Sequence, residues 1–141
     1  MTVLQIDQYP QVEFIILADA VECVNGKLYM IGGGWTVIRS PSYPATLHIG
    51  IAINLLTAPG TPLEEFELKI VILSEKDEVV SPSLKAKVIK RATPEISDKP
   101  ESTIFAANLG IQILHPGAYR IRATFGSASK ELAFNAVITT Q

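Results

Sequence analysis

The sequence predicts an all-β chain, a single two-sheet antiparallel β-sandwich of immunoglobulin-like or jelly-roll-like type with about eight strands. Three observations carry this. Apolar residues recur with a period of two along most of the chain, turn dipeptides punctuate it at short intervals, and no stretch has convincing helical periodicity. The 141 residues fit one domain, 1–141, long enough to bury a core without disulfides or metals.

Residues 1–10 carry Val3, Leu4 and Ile6 ahead of Tyr9-Pro10. They read as an N-terminal arm able to add to a sheet edge, with an ordinary first strand of the same chain as the alternative. The strongest local signal follows, from Val12 to Ile38. Two apolar runs flank Asn25-Gly26, a pair suited to the positive φ angles of a two-residue type I′ turn. Closing the hairpin there pairs Val24 with Lys27, Cys23 with Leu28, Glu22 with Tyr29 and Val21 with Met30. Val21, Cys23, Leu28 and Met30 then share one face, and Glu22, Val24, Lys27 and Tyr29 the other. Phe14 to Ala18 is apolar at every position, which predicts cover on both sides.

Leu47, Ile49, Ile51, Ile53 and Leu55 alternate with His48, Gly50, Ala52 and Asn54. Residues 57–62, with Pro59-Gly60, form a loop. Phe66, Leu68, Ile70 and Ile72 make another half-buried strand, residues 74–78 a charged turn, and Leu84, Ala86 and Val88 a short strand that Pro82 keeps at an edge. Residues 90–102 read as a solvated loop. Three strands close the chain, over 103–114, 118–125 and 131–139, with turns at His115-Pro116-Gly117 and 126–130.

Leu114-His115-Pro116-Gly117-Ala118-Tyr119-Arg120-Ile121 resembles the P-G-x-Y strand opening of immunoglobulin-like sandwiches. That resemblance implies a tyrosine tucked under a corner with its hydroxyl on backbone, and it implies architecture rather than activity. Leu17-Ala18-Asp19-Ala20, Gly26-Lys27-Leu28 and Ile31-Gly32-Gly33-Gly34-Trp35, in that order, resemble the opening of a family of small uncharacterised bacterial β-sandwich proteins. This second resemblance implies a fold and offers no substrate.

Charged residues are 18% of the chain against 48% hydrophobic, below the roughly 25% charged of ordinary soluble domains. Fewer charges leave less material to cover a monomer, so either both sheet faces are buried or a partner covers part of the surface. A formal net charge of −2 supplies no overall field for nucleic acid or an anionic membrane. Cys23 is the only cysteine, which excludes an internal disulfide, and its strand pattern predicts a buried, inert thiol. No signal-peptide pattern or membrane span stands out, so a cytoplasmic setting is expected.

Chemistry-bearing motifs are sparse. Gly32-Gly33-Gly34 is followed by Trp35-Thr36-Val37-Ile38 rather than by a helix with Lys-Ser/Thr. The run predicts a bulge or bend where the strand changes sheets, not a phosphate loop. Asp19 lies opposite Gly32 in the hairpin register, either capping N–H groups of the bulge or facing a ligand beside a flexible rim. His48 and His115 have no second histidine or cysteine at metal spacing, so neither a metal nor a cofactor is expected. Lys85, Lys87, Lys90 and Arg91, with Arg120 and Arg122, would form a basic patch unless Glu95, Asp98 and Glu101 offset it. Trp35, Tyr43 and Tyr9 offer a stacking platform for a sugar or peptide, although Tyr9-Pro10 and Tyr43-Pro44 read equally as loop anchors.

The expectation is a non-catalytic interaction or structural module, working with protein partners in a homo-oligomer or larger assembly such as a phage particle or similar shell. It is not expected to bind nucleic acid or membrane. The rival is a small-ligand or carbohydrate-binding sandwich using Trp35, Tyr43 and Asp19. An enzyme using Asp19 and a histidine is the third reading.

Overall fold

The computed structural model describes residues 8–59, 64–80, 83–90 and 99–139. Among them the chain is all-β: β1 (Gln11–Val24), β2 (Lys27–Gly33), β3 (Val37–Ser40), β4 (Ala45–Thr57), β5 (Glu64–Ser74), β6 (Leu84–Lys90), β7 (Glu101–Ile113), β8 (Gly117–Phe125) and β9 (Ala128–Ile138). One sheet runs β2-β1-β4-β7 and the other β3-β9-β8-β5-β6. The expected arm at residues 1–7, the edge role of Pro82, and Arg91, Glu95 and Asp98 lie outside the described residues.

Three features depart from the expected antiparallel sandwich of about eight strands. The described residues form nine strands, and the five-stranded sheet curls into a half-barrel rather than lying as a flat layer. In addition, β3 pairs with β9 in parallel, from Val37 opposite Asn135 to Ser40 opposite Ile138. The physical reason lies in Gly32-Gly33-Gly34. The chain leaves the first sheet there and enters the second as an edge strand, so no hairpin turn dictates an antiparallel partner. Gly32 and Gly34 have φ of 59° and 92°, the left-handed conformations that glycine adopts without a Cβ penalty.

The hairpin forms in the predicted register, with Val24 opposite Lys27 and Val21 opposite Met30. Asn25 and Gly26 have φ of 51° and 72°, both positive as a type I′ turn requires. Leu17, Ile49, Ile51, Ile53, Leu55, Ile111 and Ile113 of the first sheet share one core with Leu68, Ile70, Ile72, Ile121, Ala123 and Phe125 of the second. Burying each large aliphatic side chain is worth about 1.5–3 kcal/mol, so this layer dominates the stability. Tyr119 is buried beside Phe134, ring centroids 5.7 Å apart, and its hydroxyl donates to the His115 carbonyl at 2.5 Å.

The first sheet has a second buried face. Pairing of β1 with β4 ends at Ala18 opposite Gly50, and beyond it β1 folds back across the sheet's outer side. A Cβ on Gly50 would stand 3.0 Å from the Val21 nitrogen and 3.1 Å from Val21 Cγ1. Ala18, Val21 and Ala52 form a small buried cluster against which Ile16, Leu28 and Ala106 pack. Thus Ile15 and Leu17 face the main core while Ile16 and Ala18 lie under the returning hairpin, which supplies the expected two-sided cover from Ile15 to Ala18. Phe14, by contrast, is half-buried and joins neither cluster.

Cys23 overturns its prediction: it is exposed. Alternation correctly assigns it to the face of Val21 and Leu28, but the hairpin's end extends past the floor of small residues, and nothing there covers the thiol.

Candidate functional site

Where β1 parts from β4, the two sheets leave an opening. Among the described residues, 45–49 of β4 pair only with β7, and across the gap stands β3, the edge of the second sheet. Asp19, Trp35, Ile38, Arg39, Leu47 and His48 line a hollow of ≈ 430 Å³ there. That volume lies within the ~300–1,000 Å³ usual for small-ligand sites.

Each side chain reaches the hollow for a local reason. Asp19 is the next inward-facing position after Leu17, and its carboxylate lies across the Gly32 α-carbon: a Cβ there would meet Oδ2. Glycine at position 32 therefore serves two needs, the positive φ and the room for the acid. Trp35 and Arg39 ride on the segment that crosses between sheets, and the Trp35 ring packs against the main core. Its Nε1 is buried and has no hydrogen-bond partner among the described residues. The indole therefore offers the hollow carbon surface rather than a donor. His48 points outward from β4, against Gly110.

Asp19, Arg39 and His48 are exposed, and none makes a hydrogen bond or ion pair among the described residues. The cap that Asp19 was expected to place on the glycine bulge does not form. The enzymatic reading pairs Asp19 with a histidine; of the two histidines, His48 borders the same hollow as Asp19 but is not hydrogen-bonded to it. No group of three or more His, Cys, Asp or Glu among the described residues is placed to hold a metal ion.

Tyr43 stands elsewhere. Its hydroxyl donates to the Val137 carbonyl at 2.8 Å, which ties the β3–β4 connection to β9. Burial first, and the nearby Tyr119 second, raise its pKa above the usual phenol value of 10.0, keeping it a donor. Tyr43-Pro44 and Tyr9-Pro10 are cis. The structure thus joins Trp35 and Asp19 but separates both from Tyr43.

Sequence reasoning passed over Arg39 entirely. Its only signal was an arginine within an otherwise apolar strand. Of the basic residues weighed as a patch, Arg120 pairs with Asp77 and Glu131, and Arg122 with Glu131. The hydrogen bond to Asp77, ahead of the charges of Asp77 and Glu131, raises the Arg120 pKa above its ordinary value. Lys87 stands opposite Glu67. Lys85 stands opposite Lys69, and the offset expected from Glu95 and Asp98 lies outside the described residues.

These features define an all-β protein of two sheets with one shared core and an open hollow between their edges. The chain belongs to DUF6941, a family of unknown function, whose model matches residues 13–132. No curated protein matches it. Among solved structures it is similar to a β-glucosidase from Listeria innocua in complex with glucose, at TM-score 0.45 and 8% identity over 91% of this chain and 16% of that one. An alkylpurine DNA glycosylase from Pseudomonas fluorescens, bound to DNA containing an abasic site analogue, is similar at TM-score 0.39 and 9% identity, over 72% and 27%. The chain spans under a third of either neighbour, and neither likeness carries an argument about its activity. No helix among the described residues is long and apolar enough to cross a membrane.

Proposed function

We propose that the protein is a non-catalytic β module that assembles through the free edge of β2, with protein as its partner and the cytoplasm as its setting. The observation that carries this reading is the character of that edge. Among the described residues β2 is the last strand of its sheet, and Ile31, Tyr29 and Met30 are 72%, 54% and 36% exposed. Lys27 is its only charged residue. Unpaired strand edges template pairing with another chain, and proteins ordinarily blunt them with charge, proline or cover. Here apolar side chains stand on both faces of the strand, which suits a partner strand laid alongside. In this reading the two sheets are a sandwich, immunoglobulin-like or jelly-roll-like, opened by the curl of the second.

Sedimentation of the full chain at micromolar concentration, beside the Ile31→Lys variant, tests the proposal. The expected result is an oligomer that the lysine dissociates without loss of β circular dichroism. A monomeric wild-type protein overturns it, as does an oligomer indifferent to the lysine.

A further inference from the structure

We infer that the hollow between β3 and β4 is a carbohydrate-binding site that takes a single hexopyranose unit, presented by a glycan. The inference goes beyond the assembly reading, because the exposed β2 residues Tyr29, Met30 and Ile31 do not line the hollow.

The argument starts from the groups that the protein leaves without partners. Asp19 offers only acceptors and Arg39 only donors, while the His48 ring lies at the rim, against Gly110. Their presence together in one hollow, none bonded to another group among the described residues, discriminates between ligand classes. A phosphate or sulfate would meet Arg39 but be repelled by Asp19. A metal or ammonium ion would meet Asp19 but be repelled by Arg39. A neutral polyol needs both kinds of group, because every hydroxyl both donates and accepts. The carboxylate takes hydroxyl protons, and the guanidinium fork donates to adjacent hydroxyl oxygens in a planar, two-pronged geometry.

The wall supplies the other half of the chemistry. Trp35 presents hydrocarbon, its N–H being turned away into the protein, and Leu47 and Ile38 extend that apolar surface. A pyranose ring has an apolar C–H face and a rim of hydroxyls, so one face can rest on the indole while the rim reaches the charged groups. The hollow is open to solvent along the sheet edges, which leaves room for the sugar to be the end of a longer chain. A free α-amino acid would also match one acid and one base. Its two charges, however, stay hydrated and screened in a site this open, so pairing them with Asp19 and Arg39 gains little.

Trp35 is the only tryptophan, so intrinsic fluorescence of the full-length protein reads this site without a label. The experiment titrates glucose, galactose, mannose and N-acetylglucosamine, and short oligomers ending in each, with glycine and glutamate as the amino-acid arm. At least one sugar should give a saturable change in Trp35 emission. Removing a hydrogen bond to a charged group should weaken it about tenfold or more in both Asp19→Ala and Arg39→Ala. Both side chains are exposed and unpaired, so these variants should keep the wild-type circular dichroism and melting curve. The Ile31→Lys chain should bind as wild type does, whatever its oligomeric state. No saturable response to any sugar overturns the inference. So does a response to the amino acids alone, or sugar binding that both alanine variants leave unchanged.

Discussion

Asn108 reaches across Gly50 and grips both backbone groups of Val21, its Oδ1 accepting from the Val21 nitrogen at 2.9 Å and its Nδ2 donating to the Val21 carbonyl at 2.8 Å. An amide side chain thereby imitates one residue of a β-ladder, at the point where β1 has left its real neighbour β4. Asn108→Ala should cost about 1–3 kcal/mol, since two backbone groups lose their partner together. Asn108→Asp should be nearly as costly at neutral pH, because a carboxylate accepts from the nitrogen but cannot donate to the carbonyl. Equilibrium urea unfolding checks both variants. Wild-type stability in Asn108→Asp would show that only the acceptor half of the grip matters.

Two glycines of this region should fail for different reasons. At Gly26 a Cβ would meet nothing within 4 Å, so Gly26→Val should cost on the order of 1 kcal/mol or more through the positive φ alone. At Gly50 the obstacle is Val21 itself, and Gly50→Val should lift the hairpin from its floor. Hydrogen exchange separates the two: Gly50→Val should expose the amides of residues 20–24, whereas Gly26→Val should lower stability while leaving that protection pattern intact.

The Cys23 thiol should react with a maleimide or disulfide reagent rapidly and stoichiometrically in the native protein, with little acceleration on unfolding. Slow labelling that denaturant speeds up would mean that a partner covers the hairpin tip. Repeating the reaction with Ile31→Lys would show whether that partner sits on the β2 edge.

Two tyrosines are anchored through their hydroxyls. Tyr119→Phe should lose about 0.5–1.5 kcal/mol with the bond to His115, while the ring keeps its place beside Phe134. Tyr43 adds a pH dependence. Its folded pKa is raised above the unfolded value, so its contribution is fully present below that unfolded value and is lost as pH rises through the folded one. Thermal melts across the alkaline range should therefore fall more steeply for the wild type than for Tyr43→Phe.

The sequence was most legible where a local rule had a single solution. Asn25-Gly26 dictates a turn, and the turn dictates the register of every pair back to Ala18. It was least legible where meaning depends on distant chain. Gly50 and Ala52 looked like the unremarked outward half of an alternating strand, yet their smallness is what admits Val21. Cys23 shows the same limit from the other side, because alternation names a face and cannot say whether anything lies over it. At the hollow, Asp19 and Trp35 stood out as residues, and His48 was noticed as a histidine without metal partners and as one of two that could accompany Asp19. Arg39 joined them through the parallel pairing of β3 with β9, for which no turn or spacing gives a sign.

That pairing also sets an order on the birth of the molecule. β3 is made before β9, with five strands between them, and Asn135 N–H closes on the Thr36 carbonyl at 2.8 Å. A chain still emerging from the ribosome can close the β1–β2 hairpin at once, since its contacts are local. It cannot seat β3 until synthesis has passed Ile138. Until then Trp35 and Ile38 lack the strand beside which they settle, and the β2 edge hangs next to an unfinished sheet. The hollow thus takes shape only after β9 is made. A chain that stalled or was cut before β9 would keep its hairpin but have no place to hold a sugar, and its exposed edge would pair most readily with the wrong neighbour.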